Sequence, residues 1–247
     1  MLFTEGLSHV IEGDPDRAEP VLVRACDAAA AIGTVPVEAM VLAVLSQIAA
    51  DRNDWPDADA LGDRALRLLD DGAFDEYWTS ALVFAWGARL ASRAGRLSDA
   101  RDLLARAARL RPQLTYALPV VSTMALIEMA RVYIALADAT GALAVVRQAR
   151  GILRQRPELG LLGAQVDELG DQVGSTVQAL AGASSLTAAE LRLAPMLATR
   201  LTLQEVGDTL FIARNTVKTQ AIAIYRKLGV NSRRAAVDRL RELGLIV

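Results

Sequence analysis

Four segments of the chain share one register, and their spacing limits the possible folds more than any other feature. GDPDRAEPVLVRACDAA, NDWPDADALGDRALRLL, GRLSDARDLLARAARLR and DATGALAVVRQARGILR align on Ala18, Ala58, Ala100 and Ala142, which stand 40, 42 and 42 residues apart. Three residues past the anchor are Val21, Leu61, Leu103 and Val145; seven past it are Ala25, Ala65, Ala107 and Ala149. Positions 0, +3 and +7 fall on one face of a helix, so each segment predicts an amphipathic helix with a stripe of small residues. Small residues let a neighbouring helix approach closely. A more apolar helical stretch precedes each of the last three segments, roughly over 37–50, 79–94 and 122–137. Asp-Pro, Asn-Asp-Trp-Pro, Ala-Gly-Arg and Ala-Asp-Ala-Thr-Gly supply the turns. Units that recur at a fixed period bury their faces on their neighbours. The expected architecture of residues 1–170 is an all-α solenoid of antiparallel helix pairs.

Residue usage removes several classes of chemistry. Cys26 is the sole cysteine and His9 the sole histidine of the 247 residues. Neither an internal disulfide, nor a His/Cys metal cluster, nor a Ser-His-Asp triad can be assembled from one chain. Both lysines, Lys218 and Lys227, lie near the C-terminus, and no Gly-Lys-Ser/Thr tripeptide occurs, which excludes a Walker-type nucleotide site. The reading is of a protein that is not an enzyme, with no cofactor and no metal. MLFTEGLSHV carries no basic n-region, so it does not read as a secretory signal. The uncharged run Pro112–Ile127 is too short to span a bilayer and is interrupted by Pro119, Ser122 and Thr123. The expected setting is cytoplasmic, with no membrane partner. Cys26 and His9 read as packing residues. Trp55, Tyr77, Trp78, Trp86, Tyr116 and Tyr133 read mainly as filling between repeats, with a groove lining as the alternative.

Charge divides the chain. From Ser185 onward there are ten Lys/Arg and five acids, a net of +5, while the whole chain carries −2, leaving −7 for the preceding part. A basic tail on an acidic body is the footprint of an attached nucleic-acid-binding module. The helical signal fades after about Leu169 through DQVGSTVQALAGASS, so 171–184 reads as a linker or fraying helix. Two capping boxes follow, Thr187-Ala-Ala-Glu190 and Thr202-Leu-Gln-Glu205, each opening a helix. The second helix is short and ends at Phe211-Ile212. A third runs from near Ala213 through Leu228, where Gly229 stops it, and Ser232–Gly244 forms a fourth. In the third helix Val217, Ala221, Ile224 and Leu228 share the core stripe. Asn215, Thr219, Ile222 and Arg226 point away from it, with Lys218 beside them. A short helix, a tight turn and a longer basic helix is a helix-turn-helix arrangement.

These residues carry a family resemblance. Leu186-Thr187-x-x-Glu190, Glu205-Val206-x-x-x-Leu210, Asn215-Thr216-Val217-Lys218 and Tyr225-Arg226-Lys227-Leu228-Gly229-Val230-x-Ser232-Arg233 resemble the four-helix DNA-binding domain of LuxR/FixJ-type regulators over residues 185–247. The resemblance implies that Lys218, Thr219 and Ile222 read base edges. It places Arg214, Asn215, Thr216, Arg226 and Lys227 at the DNA backbone and makes the fourth helix the dimerisation element. The sequence departs from the family at Ala213 and Gln220, where Ser and His are usual, at Pro195 inside the first helix, and at the glycine-free turn Thr199-Arg200-Leu201. An uncapped third helix and a shortened first one follow from these departures. The repeats resemble the tetratricopeptide superfamily at a longer period. Together the two parts are similar to the C-terminal part of large ATP-binding regulators of the maltose-regulon-activator type, without their NTPase module.

The reading is a sequence-specific transcriptional regulator. Its expected partners are double-stranded DNA, RNA polymerase, a second copy in a homodimer, and an effector or protein on the repeats. The alternative is a helical-repeat interaction scaffold whose degenerate helix-turn-helix serves dimerisation.

Overall fold

The structure, a computed structural model, describes residues 1–184 and 186–246, with side chains described outside 176–185. Among the described residues every regular element is helical. The chain separates into two compact units, Met1–Val173 and Gly174–Val247. No described helix is long and apolar enough to cross a membrane.

The first unit holds α1 (Leu2–Glu12), α2 (Pro15–Ala31), α3 (Val35–Asp51), α4 (Trp55–Gly72), α5 (Ser80–Arg93), α6 (Leu97–Leu110), α7 (Pro119–Ala135), α8 (Ala139–Gln155) and the start of α9 (Leu161–Ser184). A 3₁₀ turn, Arg111–Gln113, follows α6. The helices pack as adjacent pairs, α1 on α2, α3 on α4, α5 on α6 and α7 on α8, and successive pairs stack through α2–α3, α3–α5 and α5–α7. The anchors Ala18, Ala58, Ala100 and Ala142 are all fully buried, one per pair.

The seam differs slightly from the sequence pattern. Leu22, Gly62, Leu104 and Val146, four residues past the anchor, are buried, whereas Val21, Leu61 and Leu103 at +3 are half-buried. Positions 0, +4, +7 and +11 lie within about 60° of arc, which +3 would widen to about 100°, and Ala29 and Leu69 at +11 are buried too. The +3 residues therefore cover the edge of the seam. Only Val145 is buried there.

The turns repeat with the same fidelity. Gly13, Asn53, Gly95 and Ala137, each five residues before its anchor, adopt left-handed φ of 79°, 62°, 76° and 59°. The next residue closes the preceding helix: Asp14, Asp54, Arg96 and Asp138 donate N–H to His9, Ala49, Ala91 and Tyr133 carbonyls over 2.8–2.9 Å. Three of the four also begin the next helix, the carboxylates of Asp14, Asp54 and Asp138 accepting from Arg17, Asp57 and Gly141 amides. One dipeptide thus ends one helix and caps the next. Pro119, read from sequence as an interruption, is the first residue of α7, where a missing N–H costs nothing. That helix consequently starts three residues earlier than its periodicity indicates.

Cross-links between elements are polar at their edges. Arg64 pairs with Glu38 at 2.6 Å, and Arg106 reaches Asp70 and Asp75 at 2.6 Å each. Within the core the indole N–H of Trp86 donates to Ser46 Oγ (2.6 Å), whose hydroxyl donates to the Ala58 carbonyl (2.5 Å). Trp86 and Cys26 are thus buried, while Tyr77 and Tyr116 are exposed. Helix α9 continues through Ser184, so the stretch 171–184 is helical where the fading periodicity suggested a linker or fraying helix; the side chains of 176–184 lie outside those described.

Candidate nucleic-acid interface

In the second unit, α10 (Ala188–Leu197), α11 (Leu203–Leu210), α12 (Arg214–Leu228) and α13 (Arg233–Glu242) surround one small core. Both capping boxes form. Thr187 N–H donates to Glu190 Oε2 (2.6 Å) and Glu190 N–H to Thr187 Oγ1 (3.3 Å). Thr202 and Glu205 repeat the exchange at 2.7 and 3.3 Å. The amide and hydroxyl of Thr202 hold the Glu205 carboxyl below the usual carboxylate range. Pro195 removes one intrahelical donor from α10, and the helix ends two residues later.

Local sequence explains how α11 and α12 meet. Gly207 of α11 lies where the chain doubles back: a Cβ there would stand 2.6 Å from the Ile212 carbonyl oxygen. Ile212 N–H in turn donates to the Gly207 carbonyl (2.9 Å), and Phe211 between them takes a left-handed φ of 56° with its ring almost wholly exposed. Helix α12 then starts at Arg214 behind Ala213, which offers no side-chain cap. The Arg214 and Asn215 amides are left without that partner, while the Thr216 amide donates to the Ala213 carbonyl (2.9 Å).

Helix α12 shows the two faces that its sequence predicts. Val217, Ala221, Ile224 and Leu228 are buried. Arg214, Asn215, Thr216, Lys218, Thr219, Ile222 and Arg226 are exposed, Ile222 to 55%. Thr219 Oγ1 donates to the Asn215 carbonyl (3.0 Å), which fixes the hydroxyl against its own helix. Arg214, Lys218 and Arg226 form no ion pair among the described residues, and their charges stand in solvent on one side of the helix. Seven of the eight expected contact residues are therefore exposed on α12, with Lys218, Thr219, Ile222 and Arg226 opposite its core stripe.

Lys227 is the exception. Its ammonium sits 2.6 Å from Glu190 Oε2, with the two side chains exposed to only 22% and 6%. Burial alone would raise the Glu190 carboxyl; the bonds from Lys227 and Thr187 outweigh it and hold the group below the usual range. Lys227 thus ties α12 to the first turn of α10.

Sequence reasoning missed a second tie. The Arg233 guanidinium, at the start of α13, donates to four carbonyl oxygens at the C-terminal end of α10 and the turn beyond: Leu197 (2.9 Å), Leu201 (2.7 Å), Met196 (3.1 Å) and Thr199 (2.9 Å). A cation gathering the orphan carbonyls of a helix end also opposes the negative end of its dipole. The glycine-free turn Thr199-Arg200-Leu201 is held in place this way. Its only local signal was an arginine just after the N-cap serine, a position where basic residues are not favoured by the dipole.

No curated protein matches the chain in sequence. Residues 184–240 match the family described as GerE, bacterial regulatory proteins, luxR family, so the second unit carries a LuxR-type helix-turn-helix domain of DNA-binding regulators.

Proposed function

We propose that the protein is a sequence-specific transcriptional regulator in which α12 enters the major groove of double-stranded DNA. The observation that carries this reading is the outward side of α12, where three cations with no ion pair among the described residues flank a threonine and an exposed isoleucine. Lys218, Thr219 and Ile222 read base edges, with Ile222 against a thymine methyl group. Arg214, Asn215, Thr216 and Arg226 contact phosphates, helped by the uncapped amides at the start of α12, which suit an anion. Lys227 acts by positioning the helix. Two copies pair through α13 and address half-sites about one helical turn apart. The repeats, tetratricopeptide-like in pattern, sense an effector or partner protein and alter the availability of the DNA-binding unit. This organisation is that of the maltose-regulon-activator type, with RNA polymerase as the downstream partner and the cytoplasm as the setting.

The test is the salt dependence of duplex binding by the full chain. Each phosphate contact contributes about one unit to the slope of log affinity against log salt. Arg214→Ala and Arg226→Ala should each lower that slope by about one, and Lys227→Met should leave it unchanged under conditions where all variants are folded. A slope near zero for the unaltered chain would refute DNA binding.

A further inference from the structure

The first unit holds a partly open cavity of about 530 Å³ lined by residues of α3, α5, α7 and α9. Its size is that of a small-molecule site, commonly 300–1,000 Å³. Its apolar lining comes from Val44, Ile48, Met124 and Ile127 together with Trp55 and Trp86. The Trp86 N–H is already committed to Ser46, so that indole offers a surface and no donor.

Its polar lining is built around a buried carboxylate. Glu128, 4% exposed, accepts from Arg89 at Oε2 (3.1 Å) and from Arg131 at Oε1 (2.5 Å). Each of its oxygens holds one guanidinium, so the two cations stand fixed side by side on the cavity wall. Arg131 gives one further N–H to Gln165 (3.3 Å). Most of the five N–H groups on each arginine have no protein acceptor among the described residues. The Gln47 amide nitrogen, on a residue that also lines the cavity, is buried with no hydrogen-bond partner among the described residues. An unmet buried amide donor is costly, and an occupant that accepts from it removes the cost. Donors therefore outnumber acceptors. Asp51, at the exposed rim, is the one further carboxylate lining the cavity.

We infer that this cavity binds a small organic monocarboxylate with an apolar body, its carboxylate on Arg89 and Arg131 and its body against Trp55 and Trp86. A planar carboxylate matches the guanidinium fork in two-point geometry. A doubly charged phosphate is disfavoured because Glu128 and Asp51 face the same space. This assignment rests on the effector-sensing reading for its regulatory meaning but not for its binding chemistry.

The experiment uses the full chain and a panel of hexanoate, octanoate and phenylacetate, with hexanol, octanol, phenylacetamide and inorganic phosphate beside them. Tryptophan emission and thermal midpoint report occupancy. At least one carboxylate should bind with Kd of about 1 mM or tighter, and its neutral counterpart about tenfold more weakly or worse. Arg131→Gln should weaken binding by about tenfold. Because Arg131→Gln also disturbs Glu128, Gln47→Leu and the cavity-filling Met124→Trp serve as further variants, judged against an unchanged far-ultraviolet circular dichroism spectrum. Equal binding of acids and neutral counterparts overturns the proposal. So does tighter binding of phosphate than of the carboxylates, full affinity in both Gln47→Leu and Met124→Trp, or no binding of any carboxylate by the folded chain. Duplex affinity at saturating carboxylate is then measured separately: no change there refutes effector sensing while the site itself stands.

Discussion

Lys227 on α12 lies 2.6 Å from Glu190 on α10, across 37 residues of sequence, and the pair joins α12 to the capping box of the first helix of its domain. Glu190 has two tasks there. It closes the Thr187 cap and it accepts from the half-buried ammonium of Lys227.

Lys227→Met should therefore destabilise the second unit by about 1.5–3 kcal/mol, the range for a hydrogen bond to a charged group. Lys218→Ala, on the exposed side of the same helix, should change stability by less than about 0.5 kcal/mol. Amide hydrogen exchange within α12 of the full chain separates the two. Equal protection in both variants would show that the Lys227–Glu190 pair holds nothing.

Acid sensitivity follows from the same geometry. Glu190 and Glu205 are both held below their ordinary value of 4.5 in the folded protein. A depressed folded value means that the stabilisation is complete above the unfolded value and is lost as pH falls through the folded one. Stability of the second unit should be flat above about pH 5.5 and decline below the unfolded carboxylate range. Glu190→Gln should make that decline shallower while lowering the plateau. A pH titration of α12 amide exchange measures both.

The start of α12 is open to improvement. Ala213 occupies the N-cap with extended backbone and no side-chain bond. Ala213→Ser should add about 1 kcal/mol to the second unit. If the uncapped amides bind phosphate, the same change should also alter duplex affinity, since the new hydroxyl competes for the amide that the phosphate uses. Thermal unfolding and duplex titration of one variant test both effects.

Gly207 is required by space rather than by backbone freedom, because a side chain at that point meets the Ile212 carbonyl. Gly207→Ala should cost about 1–3 kcal/mol, the range for overpacking, by forcing α11 away from the turn. In the repeats the reverse holds. Ala137 adopts the left-handed conformation that Gly13 and Gly95 take at the matching turns, so Ala137→Gly should stabilise the first unit by about 0.5–1 kcal/mol. Opposite signs from these two substitutions, read by unfolding monitored at each unit, are the expected result.

Local features were legible in the sequence because they obey local rules. The anchors Ala18, Ala58, Ala100 and Ala142, the boxes at Thr187 and Thr202, and the two faces of α12 each follow from helical period or cap chemistry within a few residues. The misses share one cause. Lys227 meets Glu190 and Arg233 meets Leu197 only after the chain has folded back over some 36 residues, and no periodicity records such a meeting. On a helical wheel Lys227 lies beside the core stripe, which allows either a phosphate contact or a buried pair. The cavity in the first unit was hidden for the same reason: Arg89, Glu128 and Arg131 come from two helices. Gln47 comes from a third. The shift of the seam from +3 to +4 is subtler, set by which neighbour each helix packs against.

Selection of bound duplexes from a random pool, performed with the full chain and with Lys218→Ala in parallel, tests the central claim most directly. The account predicts enrichment of a paired half-site sequence by the unaltered chain and its loss in a Lys218→Ala variant of unchanged fold. Enrichment of the same sequence by both proteins, or of none by either, would contradict the assignment of the exposed side of α12 as the reading surface.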